Sequence, residues 1–300
     1  MNPRPQLRRT LQGSEEMMEA PSRFPARAPK TARGAHAPPI FTRKVTRHPN
    51  FAMQHRAHDY RFLIRRWRAV ARAAGLPLRK LASTEQHDLH FLRTKALGAA
   101  GGIYISAGIH GDEPAATEAL ITWAEKNVRR LAKLPLLLLP CLNPWGLVNN
   151  VRLNEDGLDL NRIFHRDDQP VVSAVKTLVE PHQFAAALML HEDYDGQGFY
   201  LYEVERAKPH WGEALVEAAA RHIAIEGRTR IDGRKAVHGI HRRRIDPKRF
   251  ARMGYPEAIW FHLKHAERSL TIETPSEFAL DQRVAAQVAV IEECVRRACA

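Results

Sequence analysis

Cysteine is scarce in this sequence, and long apolar runs are missing. The 300 residues include three cysteines, Cys141, Cys294 and Cys299, which are too few for a disulfide framework. We therefore expect free thiols and a cytoplasmic protein. The longest apolar run, 134–142, is interrupted by two prolines and is far too short to cross a bilayer. No apolar segment follows the arginines near the N-terminus, so we do not expect a secretory signal.

Negative charge is in deficit, because 46 Lys and Arg face 33 Asp and Glu, which gives a net charge of +13. The excess lies in two segments. Residues 1–45 hold 9 basic and 3 acidic residues, and residues 221–252 hold 11 and 3. The rest of the chain is close to neutral, which is not typical of a general polyanion binder. We expect neither nucleic acid nor a membrane as a partner; a protein without catalytic activity that binds anionic partners is the remote alternative.

The first 45 residues differ in composition from the rest. They are rich in proline, arginine and alanine and lack hydrophobic periodicity, which is typical of disordered segments. We predict a disordered extension over 1–45 and a single folded domain over 46–300, a length that one large domain accommodates.

Short apolar runs alternate with helical patterns along the predicted domain. Four apolar runs predict buried strands, at 102–107, 136–141, 185–190 and 270–272. Four helical patterns accompany them, at 58–75, 114–131, 211–222 and 281–299. This alternation predicts an α/β fold with a mostly parallel sheet. Ligands of such sheets bind beyond the carboxyl ends of the strands, so the polar residues at those ends are the candidate site residues.

The first of these runs is followed by a histidine and a carboxylate at close spacing, in the sequence His-Gly-Asp-Glu-Pro at 110–114. Gly111 permits a sharp backbone turn. Pro114 holds Glu113 in an extended conformation and suits the first position of a helix. A strand, a turn and a helix would then bring the side chains of His110 and Glu113 to one cation.

Two other strand ends carry residues of the same kind. His191 follows the third run, and with His110 and Glu113 it completes a two-histidine, one-glutamate set, which is common in open catalytic zinc sites. The fourth run ends in Glu273, and a carboxylate leaving so apolar a strand needs a charged partner or a functional role. By contrast, the second His-x-x-Glu sequence, at 210–213, follows no buried strand, and we interpret it as the start of a helix.

A turn-rich loop between these runs carries Asn-Pro-Trp-Gly at 143–146 and Arg-Leu-Asn-Glu-Asp-Gly-Leu-Asp-Leu-Asn-Arg at 152–162. Together with the other motifs, in this order and ending in Ile-Glu-Thr-Pro at 272–275, it resembles the zinc carboxypeptidase superfamily. That superfamily includes metallocarboxypeptidases and the succinylglutamate desuccinylase/aspartoacylase branch. The resemblance covers about 102–276, and it implies a mixed, mostly parallel sheet with helices on both faces.

The resemblance implies a metal centre and a catalytic pair. His110, Glu113 and His191 match the ligands of one zinc ion per chain. Glu273 matches the general base, and Arg152 matches the arginine that polarises the scissile carbonyl.

The resemblance also implies a substrate-binding set. Asn161 and Arg162 match the pair that binds a substrate carboxylate. Tyr255 is the candidate for the tyrosine that the family carries on a mobile loop. The basic segment 221–252 matches no motif of the family.

The resemblance therefore implies an enzyme that hydrolyses an amide bond beside a free carboxylate. A metallocarboxypeptidase that removes the C-terminal residue of a small peptide is the first hypothesis, and an N-acyl amino acid deacylase of the desuccinylase/aspartoacylase type is the alternative. In the deacylase branch a C-terminal β-domain caps the site. Here about 25 residues follow Glu273 and form one amphipathic helical pattern, which favours the peptidase.

Overall fold

The computed structural model describes residues 56–300 except Arg206, Pro247 and 249–253. The predicted extension over 1–45 lies outside these residues, so the predicted domain boundary stays a prediction. Eight helices and ten strands are described here. The helices are α1 (Tyr60–Ala73), α2 (Pro114–Lys126), α3 (Val128–Leu131), α4 (Pro144–Asn149), α5 (Pro170–Val179), α6 (Gly212–Ala220), α7 (Glu257–Lys264) and α8 (Leu280–Ala298). A short 3₁₀ turn spans Leu160–Arg162.

Eight of the ten strands form one sheet. The strands are β1 (Leu78–Ser83), β2 (Asp88–Arg93), β3 (Ile103–Ser106), β4 (Leu136–Leu139), β5 (Phe184–Asp193), β6 (Tyr200–Glu205), β7 (Arg230–Ile231), β8 (Arg234–Lys235), β9 (Ile240–Arg242) and β10 (Ala266–Pro275). The order in the sheet is β1-β2-β4-β3-β5-β10-β6-β9, and β7 pairs with β8 in a separate hairpin. The three central pairs, β4/β3, β3/β5 and β5/β10, are parallel. The mixed, mostly parallel sheet is thereby confirmed.

Helices cover both faces of this sheet. Helices α1, α2, α6 and α8 pack in one apolar cluster, and α5 and α7 pack in another. Successive side chains of a strand point to opposite faces, and β5 shows this directly. Leu188 and Leu190 lie in the first cluster, whereas Ala187 and Met189 lie in the second. Burial on both faces explains why the central strands are continuous apolar runs.

The predicted elements are present with shifted ends. The predicted helix over 114–131 is divided at Asn127, which ends α2 and precedes α3. Strand β10 begins four residues before the predicted strand at 270–272 and continues past it. The outer strands β1, β2, β6 and β9 were not predicted. β1 is only partly buried or exposed along its length, so it has no apolar run to mark it.

Two predictions from composition can be compared with this structure. Cys141, Cys294 and Cys299 are free, and the first two are buried. Among the described residues, no helix is both long and apolar enough to cross a membrane. The compartment itself is not tested by either observation and stays a prediction.

Substituting Leu188 by alanine should destabilise the fold strongly. Leu188 is fully buried at the centre of β5, and its removal leaves a cavity that costs about 2–5 kcal/mol of unfolding free energy. Leu153→Ala is the matched control, because Leu153 is 40% exposed and should change stability by less than about 0.5 kcal/mol. Urea unfolding followed by tryptophan fluorescence measures both. Equal losses in the two variants would contradict the central position of β5.

Candidate active site

Three buried side chains meet at the carboxyl edge of the sheet. His110 follows β3, Glu113 precedes α2, and His191 lies near the end of β5. The two oxygens of Glu113 lie 2.6 Å from His110 Nδ1 and 2.8 Å from His191 Nδ1. One ligand atom from each residue can be chosen so that all lie within 4.8 Å of one another. We call these three residues the cage; the structure therefore brings together the three predicted metal ligands.

The glycines of two sequence motifs explain the local turn at the cage. A Cβ atom placed on Gly111 would lie 1.9 Å from the carbonyl carbon of Gly146. The His-Gly-Asp-Glu turn therefore packs directly on the first turn of α4. Asn143 caps that helix by accepting from the Gly146 N–H, and its Nδ2 donates to the carbonyls of Arg152 and Leu153. Asn143 thus connects the helix under the cage to the loop that carries Arg152.

Asp159 joins His110 to Arg152, a role that the sequence analysis did not assign. Its Oδ1 lies 3.2 Å from His110 Nε2, and its Oδ2 accepts from Arg152 Nε at 3.1 Å. A carboxylate on the outer nitrogen of a ligand histidine fixes the ring orientation and raises its basicity. Arg152 Nη1 also lies 3.5 Å from Glu113. Asp159 stands inside the recognised 152–162 motif, so its position was available as a signal.

The charges of the cage stabilise one another. Burial opposes ionisation of Glu113, but the two histidines lower its pKa to about 2. Burial also opposes protonation of His110, yet Glu113 and Asp159 raise its pKa to about 9. Both shifts favour the charged forms, so an ionised carboxylate lies where the two imidazole nitrogens converge. Metal ions compete with protons for such nitrogens.

The donor set fits a zinc ion. Two histidine nitrogens and one carboxylate are a common zinc ligand set that leaves a position open for water or substrate. The three residues of the cage are each at most 4% exposed, and each histidine has a ring nitrogen directed at Glu113. Among the described residues no other group of His, Cys, Asp or Glu has this arrangement. The second His-x-x-Glu sequence, at 210–213, is therefore not a metal site here.

Glu273 lies beside the cage on the neighbouring strand. In the parallel pairing of β10 with β5, Glu273 is the register partner of His191. Burial raises the pKa of Glu273 to about 8; His191 opposes this shift, and the carboxylates of Glu113 and Asp193 add to it. A cation bound in the cage would act in the opposite direction and favour the ionised form.

Asn161 and Arg162 enter the same pocket from the 3₁₀ turn. The turn is capped by Asp159, which accepts from the Asn161 N–H. The Oδ1 of Asn161 accepts from the backbone N–H of Glu257 at 2.8 Å, so the amide nitrogen is left for another acceptor. Arg162 donates to the carbonyl of Asn161. Both side chains line the pocket with Arg152 and the cage.

Glu257 is a fully buried carboxylate that sequence reasoning missed. Its two oxygens accept from Tyr104 Oη at 2.6 Å and Ser106 Oγ at 3.0 Å, and burial raises its pKa. These contacts fix the first turn of α7 to strand β3. A single Glu in a helical pattern carries no signal for this contact, because its partners lie about 150 residues away in the sequence.

The pocket continues from the cage along the α7 face of the sheet and has a volume of about 420 Å³. Its far wall is partly apolar, with Val204, Ala258 and Ile259. Two residues of the basic segment, Arg234 and Arg243, also line it. Another part of the same segment is structural, since Arg242 donates to the buried Glu203 and to Glu213.

Tyr255 does not line this pocket, although its neighbours Gly254 and Pro256 do. Its carbonyl accepts from the Phe164 N–H, and its ring stands at 6.0 Å from the ring of His165. Backbone pairing with the segment after the 3₁₀ turn holds it there. The predicted substrate-binding role of Tyr255 therefore stays a prediction.

Comparison with known proteins agrees with this geometry. The family model of the succinylglutamate desuccinylase/aspartoacylase catalytic domain matches residues 99–226. A protein from Shewanella amazonensis, described as a candidate metallopeptidase, has a similar structure with a TM-score of 0.71 and 22% identity over 80% of this chain and 94% of that chain. At 22% identity this likeness shows that the chain shares the fold of that protein. No curated protein sequence matches it significantly.

Two further structures of this zinc carboxypeptidase-like fold are more distant. A metallo-carboxypeptidase from Burkholderia cenocepacia has a TM-score of 0.56 and 18% identity, over 77% of this chain and 67% of that chain. A metallo-carboxypeptidase from Pseudomonas aeruginosa, in complex with (2-guanidinoethylmercapto)succinic acid, has a TM-score of 0.54 and 19% identity, over 78% and 68%. At these identities the likeness concerns the fold.

Asp159→Asn should weaken metal binding without unfolding the protein. The substitution keeps the size of the side chain but removes the charge that faces His110 and Arg152. Such a loss typically lowers metal affinity by about 10–100-fold. Competition with a chelating dye measures the affinity. Asp156→Asn is the control, because Asp156 lies in the same loop and is exposed. Equal affinities in wild type and Asp159→Asn would contradict the role of this carboxylate.

Proposed function

We propose that this protein is a zinc-dependent hydrolase that cleaves an amide bond next to a free carboxylate, and that it removes the C-terminal residue of small peptides. The observation that carries the proposal is the arrangement of one pocket. The cage, its register neighbour Glu273 and the Asn161–Arg162 pair all line it. A metal site, a base and an anion-binding group in one pocket are the parts that metal-assisted hydrolysis beside a carboxylate would use.

His110, Glu113 and His191 would hold one zinc ion. When bound, zinc supplies a Lewis acid and lowers the pKa of a coordinated water molecule. The fit rests on the donor set, on its burial and on the second contact of His110 with Asp159.

Glu273 would act as general base and then as general acid. Its carboxylate lies at the pocket edge beside His191, where it can accept a proton from the attacking water and pass it to the leaving amine. A base must be within hydrogen-bond reach of that proton. Glu192 is less suited, because its oxygens are engaged by the Ala115 N–H and by Arg283.

Arg152 would stabilise the negative charge that develops on the carbonyl oxygen. Its Nε is held by Asp159 and its Nη1 lies near Glu113, so the guanidinium is oriented before the substrate binds. Donors that need no reorientation stabilise a transition state more effectively.

Arg162 and Asn161 would bind the substrate carboxylate. A guanidinium matches a carboxylate with two parallel hydrogen bonds. The Oδ1 of Asn161 already accepts from the Glu257 N–H. The Nδ2 of Asn161 is therefore the atom that would donate to the substrate carboxylate. The Pseudomonas aeruginosa neighbour was crystallised with a ligand named as a succinic acid, which supports carboxylate recognition in this fold.

An N-acyl amino acid deacylase is the second candidate. The match to the succinylglutamate desuccinylase/aspartoacylase catalytic domain over 99–226 favours it, whereas the structural likeness to a candidate metallopeptidase over 94% of that protein favours the peptidase. Both reactions use the same cage, base and carboxylate-binding pair.

Zinc-loaded protein incubated with a panel of dipeptides and N-acyl amino acids separates the two reactions. We expect release of the C-terminal residue from peptides, measured by mass spectrometry or amine detection. Cleavage of N-acyl amino acids alone would replace the peptidase by the deacylase. Failure of zinc-loaded protein to cleave either class would contradict the proposed function.

Glu273→Gln should keep zinc and fold but lose turnover by about 10²–10⁴-fold, the usual contribution of a general base. Glu192→Gln is the companion variant with the same chemical change one residue after His191. Because Glu192 is tied to Arg283 and Ala115, it should retain more turnover than the Glu273 variant. Steady-state rates and zinc content measure the comparison. A larger loss in the Glu192 variant would assign the base to Glu192.

Arg162→Ala and Arg152→Ala should differ in the kinetic parameter that they change. Loss of the carboxylate clamp in Arg162→Ala should mainly raise KM and abolish the preference for a free acid over its amide. Arg152→Ala should mainly lower kcat, because the oxyanion charge exists only near the transition state. Arg166→Ala is the control, since Arg166 pairs with Asp168 at the exposed surface. Wild-type protein that cleaves the amide as well as the acid would contradict the clamp.

A further inference from the structure

The carboxyl-terminal helix α8 approaches the site from the face of the sheet opposite to the pocket. Its buried side is apolar at Ala286, Val290 and Ile291, but two polar residues stand at its beginning. Arg283 and Gln287 are one helical turn apart and therefore lie on the same side of α8. Gln287 is fully buried. Neither residue belongs to a motif of the sequence analysis.

The side chain of Gln287 connects the two strands that carry His191 and Glu273. Its Nε2 donates to the backbone carbonyl of His191 at 3.0 Å and to the hydroxyl of Thr274 at 2.8 Å. Thr274 directly follows Glu273, and Glu273 is the register partner of His191. One amide group thus joins β5 at the backbone of His191 to β10 at the residue after Glu273, on the face of the sheet opposite to the cage.

The amide orientation of Gln287 follows from these acceptors, because a backbone carbonyl can only accept a hydrogen bond. Its other atom, Oε1, is buried and has no hydrogen-bond partner among the described residues. A buried acceptor without a donor costs stability. The unpaired oxygen offsets part of what the two donated hydrogen bonds contribute to stability, so the distinctive effect of Gln287 is that it joins the strands of His191 and Glu273.

Arg283 connects α8, through Glu192, to the part of the cage that holds Glu113. It donates to one carboxylate oxygen of Glu192, and the other oxygen accepts from the Ala115 N–H at 2.6 Å. Ala115 lies in the first turn of α2, two residues after Glu113. The backbone N–H of Glu192 in turn donates to Glu113 at 3.2 Å. Through Glu192, Arg283 therefore holds β5 against the helix that follows Glu113.

We propose that Gln287 and Arg283 are positioning residues of the metal centre. Gln287 sets the separation between the strand of His191 and the strand of Glu273, and Arg283 sets the position of Glu113 relative to His191. The inference rests on the metal centre of the proposed function and is independent of the substrate. Zinc affinity and turnover then depend on a helix that contacts neither the metal nor the substrate.

The decisive variant is Gln287→Met, tested in the full-length chain. Methionine keeps the approximate size, removes the two donors and removes the unsatisfied oxygen. The metal-free variant should unfold at about the same temperature as wild type, because removal of the unpaired buried oxygen offsets the loss of the two hydrogen bonds. Its zinc affinity should nevertheless fall about 10-fold or more, within the range found for residues that orient ligands. A purely structural role would move stability and affinity in the same direction.

Gln287→Glu is the second variant, with Gln282→Glu as its matched control. The two variants make the same chemical change on the same helix, but Gln282 is exposed whereas Gln287 is buried. Gln287→Glu places a carboxylate against the His191 carbonyl and should change the visible absorption of the cobalt-loaded protein, which reports the geometry of the ligand set. The control should leave that spectrum and the zinc affinity unchanged.

Arg283→Gln should also lower zinc affinity, whereas Arg296→Gln should not, because Arg296 pairs with Glu293 at the exposed side of α8. In zinc-saturated protein the Gln287 and Arg283 variants should lower kcat and leave KM within about twofold. Wild-type zinc affinity and cobalt spectrum in Gln287→Met would overturn the inference while the proposed function stands. Zinc binding without amide hydrolysis in the wild type would overturn the function, and the affinities would still decide the inference.

Discussion

The contact of the Glu113 carboxylate with His110 and His191 is the interaction on which the rest of the site depends. A carboxylate that is 4% exposed is stable in the interior only when charged or hydrogen-bonding groups surround it. Each of its oxygens faces one imidazole, and the N–H of Glu192 adds a hydrogen bond. These partners come from the ends of β3 and β5, which are adjacent and parallel. The central pairing of the sheet is therefore a condition for the cage.

The polar groups around the cage are oriented through contacts on their outer atoms. Asp159 engages the outer nitrogen of His110 and one nitrogen of Arg152. Asn161 engages the N–H of Glu257 with its oxygen. In each case this contact holds one atom of the side chain and leaves another atom of the same side chain directed to the pocket. Such groups lose little conformational freedom when a substrate binds, which is the basis of preorganised catalysis.

The sequence predicts the centre of the fold better than its edges. The central strands are apolar on both sides, and the glycine and proline positions around His110 define the turn, so these elements and the cage could be predicted. The outer strand β1 holds only partly buried and exposed residues, without regular alternation, and gives no comparable pattern. Gln287 and Glu257 could not be found, because each contacts the site through a partner far away in the chain. Tyr255 is connected to the family's loop tyrosine only by its place in the sequence, 18 residues before Glu273, so its substrate-binding role stays a prediction.

The alternation of side chains along β5 and β10 has a consequence for insertions and deletions. His191 and Glu273 belong to the pocket side of their strands, and the residues that follow them, Glu192 and Thr274, contact α8 on the reverse side. Removing one residue from β10 before Glu273 would turn every later side chain of that strand to the opposite face of the sheet. Glu273 would then face a helix and Thr274 would face the pocket. Length changes within these strands are therefore far more damaging than most substitutions, and tolerated ones belong in the connecting loops.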